Sequence, residues 1–497
     1  MFGGASGCAR PGVAREPGVL VLLIDSPPES LDRRLTLSAN GQRLASLIQS
    51  GLVRIGDQGE VEPDLAERFE RIGTTRYRFH LRPGLTFHDG SPLTAADVVY
   101  TYESLRDPKV GSPLGPKYEA IESVEAVDPH TVDIVLAEPF APLLLDLTMG
   151  IVPAQMADPA YAEAHPVPPG AGPFRFAGRP DEEHIRLEPF ENWWGGAPRL
   201  RRLEVVVARD ETTRVLSLLH GEADLVQGSI SPVLLPRLEA APHLRVVRAS
   251  PGPGYAYLGF NLRHPILSDV RVRRAIAHAI DRESITRYKF KGAARPASGM
   301  LPEGHWAYGP ARRYAYDPKR ARALLAEAGY PDGFEITYKT STDRFRRSVA
   351  LVIKKQLEAV GIRVDLRAYE WGTFYGDIKR GNFEITTLKW TPVIEPHLMH
   401  WTFHSTSIPS EENGWVGGNR GAYRNPEVDR LLDEAAHVLD PKRRAELYRT
   451  VQRILAEDLP YVPLWHEDTI AVVSDRVEGF HLSPWGFLHP LAEVSVR

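Results

Sequence analysis

Two periodicities alternate along this chain. Residues 19–25 form a short apolar run closed by Ser26-Pro-Pro, which reads as a buried strand. Residues 42–51 switch to helical spacing, with Leu44, Leu47 and Ile48 on one face. Between 64 and 81 the alternation of Tyr77, Phe79 and Leu81 predicts two strands across a Gly73-Thr-Thr turn. Thr94 followed by Asp97 is a capping box, so a helix starts there and buries Val98, Val99, Tyr102 and Leu105. A hairpin is predicted over 121–127 and 131–136, around Asp128-Pro129. Strands follow at 174–177, 185–189, 203–207 and 255–261, with helices at 211–220 and 270–280. The later half continues with helices at 318–328, 347–360, 373–380, 427–436 and 441–458, and strands at 335–339, 363–368 and 384–389. Such alternation predicts open α/β sheets, whose crevices bind ligands at the carboxyl ends of strands. Two segments rich in proline and glycine, 167–173 and 250–254, mark boundaries.

Length and charge narrow the picture. At 497 residues the chain needs two or three cores. A net charge of −4 lacks the broad positive field that nucleic acids or anionic membranes require, so no nucleic-acid partner is expected. No apolar run is long enough to span a bilayer. The single cysteine, Cys8, excludes a disulfide framework and a multi-cysteine metal site. Ala5-Ser6-Gly7-Cys8 has the small residues and cysteine that end a lipoprotein signal. Two readings stay open: a lipid anchor through Cys8, or a plain glycine–alanine tail.

Catalytic signatures are absent. There is no Gly-Lys dipeptide for a phosphate loop and no Gly-x-Ser-x-Gly elbow, and the lone His466-Glu467 pair lacks a second histidine in helical register. No enzyme activity, no catalytic residue and no cofactor is therefore expected. His397, His400 and His404 stand at i, i+3 and i+7, a spacing that could bind a transition metal. Only Glu395 is a nearby acid, so the histidines are read as cavity lining or helix packing, and no metal site is assigned. Trp371, Trp390, Trp401 and Trp415 crowd the later part of the chain. Trp390 closes a predicted strand and precedes Thr391-Pro392, a place favoured for ligand contact at a crevice mouth.

One long series of residues resembles a known family. Pro63-Asp-Leu-Ala-Glu-Arg-Phe69 and the run from Tyr77-Arg-Phe-His-Leu-Arg-Pro-Gly84 to Asp97-Val-Val-Tyr100 resemble the signature of family 5 extracellular solute-binding proteins, the dipeptide/oligopeptide-binding group. Gly170-Ala-Gly-Pro-Phe174, Asn192-Trp-Trp-Gly-Gly-Ala-Pro198, Gly221-Glu-Ala-Asp224, Asp269-Val-Arg-Val-Arg-Arg-Ala-Ile276, Tyr316-Asp-Pro-Lys-Arg-Ala321 and Tyr423-Arg-Asn-Pro-Glu-Val-Asp429 continue it in order.

The resemblance implies an α/β fold of the periplasmic-binding-protein type, class II, with two lobes joined by a hinge and an inserted extra domain. A tail would occupy 1–17, lobe I 18–50 with 172–262 and 468–497, the inserted domain 51–171, and lobe II 263–467. It implies the extracytoplasmic receptor of an ABC importer: a monomer, periplasmic or tethered through Cys8, that takes peptides or peptide-like solutes to a membrane permease and its ATPase. A metal-chelate or haem-type solute is the alternative on the same fold. Trp371 and Trp390 are expected to wall the site, with Thr391, Asn261, Ser38 and Asn40 beside them and Glu395 or His397 as polar contact. Two positions depart from the dipeptide-binding pattern. Val393 stands where an aspartate pairs with the ligand's ammonium, and Thr340 falls where an arginine would meet its carboxylate.

Overall fold

The structure is a computed structural model and describes residues 16–497; the Cys8 expectation lies outside the described residues. Two long strands, Leu244–Phe260 and Tyr461–Ser474, pair antiparallel and run through both halves of one 11-stranded sheet. Their ladder shifts register twice, and the wider break lies where Ala249 faces Thr469 and Gly254 faces Glu467, so residues 250–253 stand outside the register. Pro251 and Pro253 have no amide to donate, and a Cβ on Gly252 would lie 2.0 Å from the Glu467 carbonyl oxygen. The 250–254 segment was expected to precede a strand; it interrupts one instead. Tyr461–Ser474 was not foreseen, because Pro463 and the polar run His466-Glu467-Asp468 hide its pattern.

On one side of the break, Tyr461–Ser474 pairs with Leu225–Gln227. Val19–Ile24 and Arg202–Val207 follow in parallel, then His184–Pro189 and Phe174–Gly178 antiparallel. On the other side, Leu244–Phe260 pairs with Ile385–Trp390 antiparallel, and Phe334–Ser341 and Ile362–Tyr369 continue in parallel. Each half closes over its own apolar cluster. Leu20, Leu22, Leu47, Phe174, Leu203 and Val205 belong to the first. Leu258, Phe260, Ile276, Ile336, Ile353 and Ile385 belong to the second. The molecule is thus two α/β lobes joined through an interrupted ladder.

A third cluster lies within residues 52–171 and covers a separate antiparallel sheet, in the order Ala66–Ile72, Arg76–Leu81, Thr131–Leu136, Ile121–Asp128. Alternation in Arg76–Leu81 buries Tyr77, Phe79 and Leu81 against the helix Ala95–Arg106. That helix starts as expected: the Thr94 N–H donates to Asp97 Oδ2 at 2.7 Å. This extra domain rejoins lobe I through 167–173, and the glycines there have a packing reason. A Cβ on Gly170 would lie 1.9 Å from the Ile48 carbonyl oxygen. The extra domain also reaches lobe II. Phe140 meets His397 edge-on, Ala141 N–H donates to Ala436 O at 2.8 Å, and Glu138 pairs with His437 at 3.1 Å.

The register fixes where a crevice can lie. Gln227 pairs with Ala471 and Trp390 with Tyr255, so in both lobes these strands end beside the break. Their parallel neighbours run the same way and carry their carboxyl ends to the same place, which is where open α/β sheets take ligands. Among the described residues no helix is long and apolar enough to cross a membrane.

Candidate solute site between the lobes

Lobe II supplies an aromatic and basic rim. Trp390 ends its strand, and Trp371 begins the helix Trp371–Lys379, which Glu370 caps through the Gly372 N–H at 2.7 Å. The cap and the strand hold both indoles at the carboxyl edge of the sheet. Trp371 stacks on Tyr375 at 5.6 Å, and Arg346 lies over its ring at 5.2 Å. Between Tyr375 and Trp390 sits Arg420, its guanidinium 5.0 Å and 4.8 Å from the two ring centroids. The structure therefore brings the two expected tryptophans into one continuous stack, through a tyrosine and an arginine that the sequence did not single out.

Arg420 is the buried charge of this wall. It is 8% exposed, donates to the Tyr375 hydroxyl at 2.9 Å, and has no carboxylate at ion-pair distance among the described residues. Burial works to lower its pKa, but the phenol oxygens of Tyr257, Tyr375 and Tyr461 more than offset this, so the cation persists. Its Nε is shielded and unpaired, and so is the indole N–H of Trp390. Buried donors without acceptors are costly, and a site awaiting a ligand is one place they persist. Thr391 follows Trp390 and is exposed.

Lobe I presents a different rim. Asp25 and Ser26 follow the strand Val19–Ile24, and Asn40 Nδ2 donates to Asp25 Oδ1 and Ser26 O, both at 2.9 Å. Ser38 caps the helix Ala39–Ile48 by accepting from the Gly41 N–H. Asp210 caps Glu211–Leu219, and that cap, together with the Arg344 charge from lobe II, holds its carboxyl below the usual range. Lys389 and Glu467 form a 2.6 Å ion pair against the hinge. Burial would raise the Glu467 carboxyl, but Lys389 and Arg346 bring it below its ordinary value.

Three expected site residues are otherwise engaged. Glu395 forms a bidentate ion pair with Arg444 and also accepts from the His397 N–H at 3.1 Å; it serves as an internal counter-charge that holds the turn before a short helix, not an open acid. Its partner stands 49 positions away in sequence, where spacing gave no hint. His397 faces Phe140 of the extra domain, and burial lowers its pKa to about 3, leaving a neutral ring. Asn261 is pinned at the end of its strand remote from the hinge, donating to Gly381 O and Phe383 O at 2.9 Å. Val393 is fully buried, its N–H held by Pro253 O, so the loop after Trp390 docks on the hinge segment without offering an acid.

Comparison with known proteins accords with this geometry. Residues 60–409 match the sequence pattern of bacterial extracellular solute-binding proteins, family 5 Middle. Heme-binding protein A of Haemophilus influenzae is 30% identical over 86% of this chain and 83% of its own. The dipeptide-binding protein of Escherichia coli is 28% identical over 96% and 94%. Among solved structures, the ABC transporter-associated periplasmic binding protein DppA from Helicobacter pylori, in complex with the peptide STSA, superimposes with a TM-score of 0.82. Its sequence identity is 28%, over 96% of this chain and 98% of that one. With its two lobes, interrupted hinge ladder and added domain, the chain belongs to the family 5 bacterial extracellular solute-binding proteins.

Proposed function

We propose that this chain is the extracytoplasmic receptor of an ABC importer, closing its two lobes on a peptide or peptide-like solute and presenting it to a membrane permease and its ATPase. The observation that carries this reading is the wall Trp371–Tyr375–Arg420–Trp390, set where the strands of both lobes end beside the hinge. Aromatic faces exclude water, and an uncompensated guanidinium within them favours a carboxylate, such as the end of a peptide. Arg420 would then do what Thr340, itself buried, cannot. The chain acts by carriage alone, as a monomer, and Cys8 is its candidate tether.

Peptide-binding relatives support the main reading. The haem-binding relative carries the alternative of a haem-type or chelate solute. Native mass spectrometry before and after mild denaturation separates the two. A released peptide supports the first and a haem or metal chelate the second. If the protein is empty and a peptide library leaves its melting unchanged, the peptide reading fails.

A further inference from the structure

The histidines at 397–404 acquire in three dimensions the acid they lack in sequence. His397 caps the short helix Leu398–Phe403 at one end and His404 caps it at the other, and the helix lies against Pro426–His437. Asp433 on the second helix reaches both remaining imidazoles. Its Oδ1 is 3.2 Å from His400 Nε2 and 3.3 Å from His404 Nε2, and the three donors lie within 4.8 Å of one another. Asp429, held by the Ser405 N–H at 2.9 Å, stands 3.9 Å from His404 Nε2.

We propose that His400, His404 and Asp433 form a binding site for a borderline first-row divalent cation such as Zn²⁺, separate from the solute site. Zinc bonds of 2.0–2.2 Å in a tetrahedral shell put donor atoms about 3.3 Å apart, the spacing found on either side of Asp433. Two imidazoles and one carboxylate suit zinc, nickel or copper far better than calcium or magnesium.

A second observation points the same way. His404 is 6% exposed, and its Nε2 is shielded and accepts or donates no hydrogen bond. Its Nδ1 lies 2.7 Å from the Thr406 hydroxyl oxygen. Nδ1 now accepts the Thr406 N–H at 3.1 Å; when Nε2 binds metal, the ring proton moves to Nδ1, which exchanges that bond for donation to the Thr406 hydroxyl oxygen, the outer hydrogen bond that orients a ligating histidine. His400, the second imidazole, is 25% exposed and turns its Nε2 to the same Asp433 oxygen. The two rings now stack at 4.2 Å and 7°, and closing the shell turns one of them about its χ2. The remaining coordination position is open to water, since Asp433 is exposed.

The test is Zn²⁺ uptake by the full chain stripped with chelator, measured by competition with a chromophoric indicator. One equivalent should bind at micromolar or tighter affinity, and Co²⁺ in its place should give visible absorption from a nitrogen-ligated ion. His404→Ala and Asp433→Asn should each weaken uptake at least tenfold. His184→Ala should not, although it removes an exposed His–Asp pair at 2.8 Å. His400→Gln, in a side chain 25% exposed, carries the same expectation if His404→Ala fails to fold. Absence of saturable uptake, or uptake unmoved by the His400 and Asp433 variants, overturns the site.

Discussion

The two rims that meet at the hinge differ in what they have left to give. Lobe I ends its strands in short uncharged or already engaged groups: Asp25, Ser26, Asn40 and Asp210 bond to one another or cap helices, and the atoms left shielded and unpaired, Gln227 Oε1 and Ser229 Oγ, are neutral. Lobe II ends in Trp371, Tyr375 and Trp390 with Arg346 and Arg420 among them, and keeps two shielded donors unpaired. An engaged polar rim contributes a field and a surface to close against. An unsatisfied aromatic–cationic rim contributes binding energy and orientation. Lobe II should therefore hold the solute, and lobe I should close over it.

The sharpest way to break this contrast is Arg420→Met. It should weaken a peptide with a free carboxylate by roughly 2–5 kcal/mol, the scale of losing one partner of a buried charge pair. Calorimetry should also show that amidating the peptide's carboxyl costs the wild type much of that and the variant little. Equal losses with both peptides would mean the guanidinium serves the ring stack alone.

Acid should undo the hinge that brings the rims together. His466, on a hinge strand beside Tyr255, is buried, and burial lowers its pKa to about 4. Its folded pKa lies below the unfolded value near 6.5, so the stability it permits is complete above about pH 6.5 and is lost as pH falls towards 4. That amounts to about 3 kcal/mol for this one ring. By pH 4.5 about 2 kcal/mol of it is lost, so the gap between denaturant melts at pH 7 and pH 4.5 should narrow by about that much in His466→Asn. An unaltered gap would show that the ring is not held neutral.

Next in size come the indoles. Trp371→Ala and Trp390→Ala should each weaken peptide binding by roughly 1–3 kcal/mol in calorimetry. Trp390→Ala should be the larger loss, because its N–H is shielded while Trp371 is 46% exposed. Wild-type affinity in both would move the site elsewhere. The smallest effect belongs to lobe I. Asn40→Ala removes groups already bonded within the rim and should change affinity by under about 1 kcal/mol. A larger loss there would reverse the assignment of roles between the lobes.

Much of the molecule could be read in one dimension. Helix Pro441–Asp458 has the bounds its pattern predicts, the Thr94 capping box forms, and the strands at 76–81 and 131–136 follow their alternation. These features depend on groups within a turn or a strand of each other, so local spacing suffices. Trp371 and Trp390 could also be placed at strand ends, since parallel strands in one sheet must share a carboxyl edge. The long crossing strands were hidden because Pro251, Pro253 and Pro463 lie within them, and pairing across the hinge overrides local preference. Arg420 gave no signal, lying in a glycine-rich stretch whose course is fixed by tertiary bonds, from the Leu262 N–H to Gly421 O and from Asn419 to Phe403 O and His404 O. Glu395 was open until folding delivered Arg444, and His400 and His404 lacked an acid until helix packing delivered Asp433. The sequence by itself determined the locally patterned elements, the family and the strand edge proposed for the solute. Only the tertiary structure decided which charges there are neutralised and which are left waiting, because the fate of a buried charge depends on partners that folding brings from distant positions in the chain.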